Sequence, residues 1–173
     1  TEEGDETGDF DPHYWLSPQQ AKLIVNQIAK ELSVLDEANS EYYLVRAQSY
    51  QQKIEEKITT WQSTLAKMEN KNLVVFHDAW GYFASDFNLN IVANLEPFPG
   101  KSPSPKYLEE INKIIKQYQV KILFVEPQLA INIAQTFAQD LGLEIRVLDP
   151  LGGLDNRDSY LSLIEYNVNE IAR

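Results

Sequence analysis

Four short apolar runs, rich in β-branched and aromatic residues, alternate with amphipathic segments through the second half of this chain. The runs lie at 73–76, 90–95, 121–125 and 144–148. Apolar residues at helical spacing predict helices over about 79–87, 105–118, 128–141 and 158–173. Strands that alternate with helices form parallel sheets with helices on their faces. The sequence therefore predicts an α/β fold with a four-stranded parallel sheet flanked by helices.

The first half of the chain is predicted to be helical. Ser17-Pro18 is typical of a helix start, and apolar residues at helical spacing continue to residue 35. A second helical pattern follows Asp36, with apolar residues at steps of three or four from Tyr43 to Met68 and no Gly or Pro. A helix of about 30 residues is about 45 Å long, so we expect a backbone helix that spans two bodies or packs in a bundle. The expected organisation is an acidic loop and the segment that follows it at 1–16, a helical segment at 17–70 and an α/β lobe at 71–173.

Charge and cysteine content exclude several kinds of site. The chain has 15 Lys and Arg against 26 Asp and Glu, a formal net charge of −11. This balance argues against a nucleic-acid binder and against a polybasic membrane surface. The absence of Cys excludes disulfides, thiolate zinc sites and cysteine nucleophiles. Residues 1–11 contain six carboxylates and no base, which indicates either a solvated tail or the remnant of a metal-attracting loop.

Three of the predicted strands end at residues that can bind a cation. His77-Asp78 follows the first strand, Glu126-Pro127 the third and Asp149-Pro150 the fourth. His13, the one other histidine, lies just ahead of the first helix. Because ligands bind outside the carboxyl ends of parallel strands, we expect groups from separate strands to converge there. Imidazole nitrogen with carboxylate oxygen suits zinc, and less strongly manganese or iron.

Each of these residues also has a purely structural interpretation. Asp149 can end a strand and begin a turn, and Glu126 can stand at a helix N-terminus, where the helix dipole favours an acid. His77 can be a hydrogen-bonded core histidine. Residue spacing alone leaves these alternatives open.

Four ordered motifs carry a family resemblance. They are DPHYWLSP at 11–18, FHDAWGYFA at 76–84, FVEPQ at 124–128 and LDPLG at 148–152. Together with the long helix, the series resembles the zinc/manganese-type substrate-binding proteins of ABC importers, also called cluster A-I or zinc-uptake A-type proteins. The resemblance runs from about residue 11 to 172.

This resemblance implies two α/β lobes joined by a rigid backbone helix, matched here by residues 37–69, with a metal ion held between the lobes. The metal ligands it implies here are His13, His77 and Asp149, whereas Glu126 is not carried over as a ligand. The implied ion is Zn²⁺ rather than Mn²⁺, because manganese-type members carry Glu where His77 stands. The family's N-terminal lobe, with a further histidine ligand, has no counterpart in this sequence, so we expect the chain to be a C-terminal fragment.

The implied function is a non-enzymatic, extracytoplasmic zinc receptor, lipid-anchored or secreted, that hands its ion to an ABC permease. A zinc-dependent hydrolase, with Glu126 as base, is the alternative from another class. Receptors for manganese, iron or a metal chelate are alternatives within the same transport class. Without the N-terminal lobe, a helix stripe that includes Tyr43, Tyr50 and Trp61 is expected to stay partly exposed and to favour a dimer.

Overall fold

A computed structural model describes residues 11–96, 103–128, 132–154 and 156–173. Most of the acidic segment 1–11, residues 97–102 of the proline-rich loop and residues 129–131 of the helix predicted over 128–141 lie outside the described residues.

The described residues form one four-stranded sheet in which every neighbouring pair is parallel. Its strands are β1 (Asn72–Val75), β2 (Asn90–Asn94), β3 (Ile122–Val125) and β4 (Glu144–Val147). They are ordered β2-β1-β3-β4, and the register of β1 against β2 shifts between Leu73 and Val74. The predicted α/β fold with a four-stranded parallel sheet is confirmed.

The described α-helices follow the predicted pattern. They are α1 (Pro18–Leu35), α2 (Ser40–Leu65), α3 (Gly81–Phe87), α4 (Pro105–Tyr118), α5 (Asn132–Leu141) and α6 (Tyr160–Ala172). Side-chain caps explain three of the starts, because the hydroxyls of Ser17, Ser104 and Ser159 accept hydrogen bonds from backbone N–H groups of the first turn.

The long helix is shorter than the predicted 37–69. A 3₁₀ turn at Glu37–Asn39 precedes α2, which has 26 residues. At its other end the backbone N–H groups of Lys67 and Met68 donate to the carbonyls of Thr64 and Leu65, so the last turn tightens and the helix stops.

Alternate residues of the strands contribute side chains to two hydrophobic cores, one on each face of the sheet. Leu73 and Val75 lie in the core formed with α2, α3 and α6, whereas Val74 lies in the core formed with α4 and α5. Only the second half of α2 faces the sheet, through Ile54, Ile58, Trp61 and Leu65.

The first half of α2 instead pairs with α1 as a helical hairpin that carries much exposed apolar surface. Of the stripe predicted to stay exposed, Tyr43 and Tyr50 are half-buried in this hairpin, whereas Trp61 is 1% exposed in the sheet-facing core. The expectation for Trp61 is therefore wrong, because α6 and the sheet already cover it. No helix in the described part of the chain is both long and apolar enough to cross a membrane.

Candidate metal centre

The carboxyl end of each parallel strand leads into an ionisable residue within two positions. In the order β2-β1-β3-β4, these residues are Glu96, His77, Glu126 and Asp149. Because the strands are parallel, all four residues lie along one edge of the sheet.

His13 is held in a fixed orientation by the aspartate two residues before it. The Oδ1 atom of Asp11 accepts hydrogen bonds from His13 Nδ1 at 2.7 Å and from the His13 backbone N–H at 2.9 Å. A histidine that donates from Nδ1 to a carboxylate presents Nε2 as its coordinating atom. The arrangement therefore resembles the carboxylate-supported histidine of many metal sites.

The turn that carries His13 is tied to the strand edge. The His13 ring lies against Trp15, with 5.4 Å between ring centroids, and Trp15 Nε1 donates to the backbone carbonyl of Pro150 at 2.9 Å. This bond links the segment before α1 to the residue that follows Asp149.

His77 lies next to His13, with 5.2 Å between ring centroids and the two rings nearly perpendicular. Its Nδ1 is 3.4 Å from Oε2 of Glu96, and both side chains are largely buried. Two imidazoles from distant parts of the sequence thus meet at the sheet edge.

Asp149 is fully buried, and its two carboxylate oxygens have different surroundings. Oδ1 accepts hydrogen bonds from Gln128 Nε2 and from the backbone N–H groups of Leu151 and Gly152, at 2.9–3.0 Å. Burial disfavours the charged form, but these hydrogen bonds outweigh it and hold the pKa of Asp149 below its usual value. The carboxylate is therefore ionised and available to a cation at neutral pH.

The backbone of Asp149 is clamped by α6. Its N–H donates to Oδ1 of Asn167, and its carbonyl accepts from Nδ2 of the same side chain, both at 2.8 Å. Because Asn167 is itself fully buried, this pair of bonds fixes where β4 ends.

Glu126 is a buried carboxyl between these groups. Its Oε1 accepts a hydrogen bond from Trp80 Nε1 at 2.9 Å, and the residue is 4% exposed. Burial raises the pKa of Glu126; the Trp80 bond and His77 act against this, while Glu96 and Asp149 add to it.

The structure brings His13 and His77 together but does not gather all three predicted ligands into a preformed cage. Within residues 11–96, 103–128, 132–154 and 156–173, no three His, Asp or Glu side chains are grouped closely enough to hold a metal ion. Asp149 belongs to the same sheet edge, and its charge and that of His77 both influence Glu126.

The donor set nevertheless fits zinc. Zn²⁺ favours imidazole nitrogen and carboxylate oxygen in a tetrahedral arrangement. Each imidazole has one nitrogen directed to a carboxylate, which leaves the other for an ion. Oδ2 of Asp149 is buried without a hydrogen bond among the described residues, as expected of an oxygen kept for a cation.

Residue spacing missed three participants in this site. Glu96 follows β2 as the other candidates follow their strands, so the same strand-end reasoning would have found it. Asp11 was part of the first motif, but its role depends on a local turn. Arg157, which lies 3.2 Å from Asp149, follows no strand and had no signal in the sequence.

Comparison with known proteins adds a family match. The family described as zinc-uptake complex component A, periplasmic, matches residues 1–173. The zinc-binding protein AdcA of Streptococcus pyogenes serotype M3 is 32% identical over 149 residues, which cover 86% of this chain and 29% of that protein. The high-affinity zinc uptake system protein ZnuA of Brucella abortus is 31% identical over 166 residues, covering 95% of this chain and 50% of that protein.

Solved structures show the same fold. A Zn(II)-bound mutant variant of AdcAII from Streptococcus pneumoniae has a TM-score of 0.85 and 33% identity, covering 98% of this chain and 63% of that one. The laminin-binding protein Lmb of Streptococcus agalactiae, described as a bifunctional adhesin with metal transporting activity, has a TM-score of 0.86 and 29% identity. It covers 94% of this chain and 64% of that one. The chain thus spans half or less of these curated relatives and under two thirds of these solved structures.

Proposed function

Because the chain belongs to the periplasmic zinc-uptake complex component A (ZnuA) family, we propose that it is part of an extracytoplasmic receptor that binds Zn²⁺ and delivers it to an ABC permease. The family is one of substrate-binding receptors, and in this proposal the ion is the cargo of the receptor. The observation that carries the proposal is the carboxylate-supported His13 facing His77 at 5.2 Å, at the strand edge that also holds Asp149.

His13, His77 and Asp149 are the proposed protein ligands. The two imidazoles favour Zn²⁺ over Mn²⁺, because nitrogen donors suit zinc and harder oxygen donors suit manganese. Asp149, itself fully buried, neutralises part of the ion's charge. A zinc ion with three such ligands has one position left in a tetrahedral shell.

We further propose that the remaining ligand comes from an N-terminal lobe of a longer receptor. In this division, residues 1–16 are the loop that carries His13, 17–70 the helical backbone and 71–173 the C-terminal lobe. The exposed apolar surface of the α1–α2 hairpin supports it, because such a surface is suited to packing against another body. When that lobe is absent, we propose that a second copy of the chain covers the apolar surface of the hairpin. A lipid anchor or secretion of the full-length protein is part of the same proposal.

Calorimetric titration with Zn²⁺ tests the proposed site. His13→Ala, His77→Ala and Asp149→Asn are each expected to weaken zinc binding, whereas Asp158→Asn, which changes an exposed carboxylate in the same region, is expected to leave it unchanged. Competition with Mn²⁺ should show zinc bound more tightly. If binding survives all three ligand substitutions, the ion binds elsewhere, such as at the carboxylates of residues 1–11, and the proposed site is wrong.

A further inference from the structure

Asp149 has one oxygen that accepts three hydrogen bonds and one that accepts none from the described residues. Three hydrogen bonds converge on Oδ1, and Oδ2 receives none from the described residues, although the side chain is fully buried. A buried carboxylate oxygen without a hydrogen bond is costly unless a cation lies beside it. Oδ2 is therefore the atom at which a cation matters most.

A protein cation already lies beside this oxygen. Arg157 Nη1 is 3.2 Å from Asp149 Oδ2, and the Arg157 side chain is only 13% exposed. The contact is not aligned as a hydrogen bond, and Nε and Nη1 of Arg157 have no hydrogen-bond partner among the described residues. Charge and stacking, rather than directional bonds, hold the guanidinium here.

The stacking partner is Tyr166 of α6. Arg157 Cζ lies 4.3 Å from the centroid of the Tyr166 ring, close enough for a cation–π contact. Hydrogen bonds fix the backbone of Arg157 more firmly than its guanidinium group. The Arg157 N–H donates to the Leu154 carbonyl, and the Arg157 carbonyl accepts from the Gly153 N–H, both at 2.9 Å. The side chain can therefore move while its backbone stays in place.

Glycine is required for this local turn. Gly152 has φ +75°, and a Cβ at this position would lie 2.8 Å from the Arg157 carbonyl oxygen. The same glycine donates its N–H to Asp149 Oδ1. One compact turn thus sets both the orientation of the carboxylate and the approach of the arginine.

From this geometry we propose that Arg157 is a built-in competitor for the metal ion at Asp149. It occupies Oδ2 when no ion is bound, leaves it when Zn²⁺ enters, and thereby weakens zinc binding and speeds zinc release. This inference rests on the proposed function, in which Asp149 is a zinc ligand.

Electrostatics favour this exchange. A zinc–carboxylate bond is about 2.0–2.2 Å long, so an ion at Oδ2 would lie close to a guanidinium 3.2 Å from the same oxygen. In a buried site the repulsion between two such cations is strong. Arginine cannot relieve it by losing a proton, because its guanidinium stays charged at all relevant pH values. Movement of the side chain away from Oδ2 relieves the repulsion, and the guanidinium can keep its contact with the Tyr166 ring as it moves.

If Arg157 supports Asp149 instead of competing with zinc, its removal should change zinc affinity in the opposite direction. If the guanidinium only orients Asp149, its removal would leave the carboxylate misplaced and zinc would bind more weakly. If it competes, removal strengthens binding. The sign of the change in zinc affinity therefore distinguishes the two roles.

The test compares the wild-type chain with Arg157→Met, which keeps much of the side-chain volume without the charge. Titration against a zinc chelator should give about tenfold tighter binding in Arg157→Met, and stopped-flow chelation should give slower zinc release. Arg146→Met is the matched control: it removes an arginine of the same lobe whose side chain pairs with Glu144 at the start of β4 and donates to the Glu170 carbonyl. Its zinc affinity should equal that of the wild type.

A second readout does not require zinc. Because Asp149 loses its counter-charge, metal-free Arg157→Met should melt at a lower temperature than the wild type, and its gain in Tm on adding zinc should be larger. Arg157→Gln serves the same comparison if Arg157→Met does not fold.

Two failures can be told apart. If zinc binding depends on His13 and His77 but Arg157→Met binds no more tightly than the wild type, the competitor role is overturned and the proposed site stands. If neither protein binds zinc through these histidines, the proposed function fails and the competitor role fails with it.

Discussion

The two ends of α2 lie in contrasting surroundings. One face of its second half is buried against α6 and the sheet, whereas its first half packs mainly against α1 and leaves large apolar side chains in solvent. Exposed examples on this hairpin are Leu23, Ile28, Val34, Leu35, Tyr42 and Val45. The strand lobe has a core on each face and completes its own packing, but the hairpin does not. The comparison indicates that folding stability comes from the lobe and that the hairpin is shaped for contact with another body.

Two leucines that each end a helix provide the strongest test of this contrast. Leu65 ends α2 and is 1% exposed, whereas Leu35 ends α1 and is 81% exposed. Leu65→Ala should lower the free energy of unfolding by about 2–5 kcal/mol, because it leaves a cavity in the core. Leu35→Ala should change it by less than about 0.5 kcal/mol. Urea unfolding of both variants measures the difference, and equal losses would contradict the division of stability.

The next largest effect concerns the strand edge of the lobe. His77→Ala should weaken zinc binding at least about 100-fold, or about 2.7 kcal/mol, because one of three protein donors is lost. Calorimetry at neutral pH measures this, with the hairpin variant Leu35→Ala as a control that should bind as the wild type does.

A smaller loss of zinc affinity is expected when a ligand is kept but the carboxylate that orients it is changed. Asp11→Asn leaves His13 in place and removes the charge of the carboxylate that orients its ring at 2.7 Å. Loss of such outer partners typically weakens metal binding 10–100-fold, and we expect about tenfold here, because the backbone bond to His13 can persist in Asn. A chelator competition assay checks this value. An effect as large as that of His13→Ala would mean that Asp11 itself binds the ion.

The buried Glu126 gives a still smaller effect, on stability rather than binding. Burial raises the pKa of this carboxyl, so the folded state binds its proton more tightly than the unfolded state. Its contribution to stability is therefore greatest below the usual value of 4.5 and declines as the pH rises through 4.5 towards the raised pKa. Glu126→Gln keeps an acceptor for Trp80 and should unfold at higher urea than the wild type at pH 7. At pH 4 this advantage should shrink, and a constant difference across that range would contradict the assignment.

Local sequence signals were sufficient for much of the fold. The Ser-Pro pairs at 17–18 and 104–105 begin α1 and α4, since they combine a side-chain cap with a residue suited to the first helical position. The four apolar runs identified the strands to within one residue or so. The ends of α2 were less certain, because a periodic pattern without Gly or Pro does not show where the last turn tightens.

The candidate site was only partly accessible from the sequence. Position after a strand predicted that His77 and Asp149 lie on one edge, since parallel strands share a direction. Neither the pairing of Arg157 with Asp149 nor the burial of Trp61 follows from spacing, because both depend on how α6 packs against the lobe. Periodicity shows which residues share a helix face, but tertiary contacts decide which part of that face is covered.

The smallest expected effect is weak self-association through the hairpin. An open apolar hollow of about 400 Å³, lined by Ile28, Leu32, Tyr42, Tyr43 and Tyr50 among others, lies between α1 and α2. Exposed apolar patches of this kind favour association, so the mean mass in sedimentation equilibrium should rise with concentration. Tyr42→Ser, at a position 58% exposed, should reduce that rise, whereas a polar change on the far side of the lobe, such as Lys121→Ser, should not. Folding stability should be nearly the same in both variants, because neither side chain belongs to a buried core. A constant monomer mass in the wild type would contradict self-association through the hairpin. The additional lobe would then be the one proposed partner of this surface.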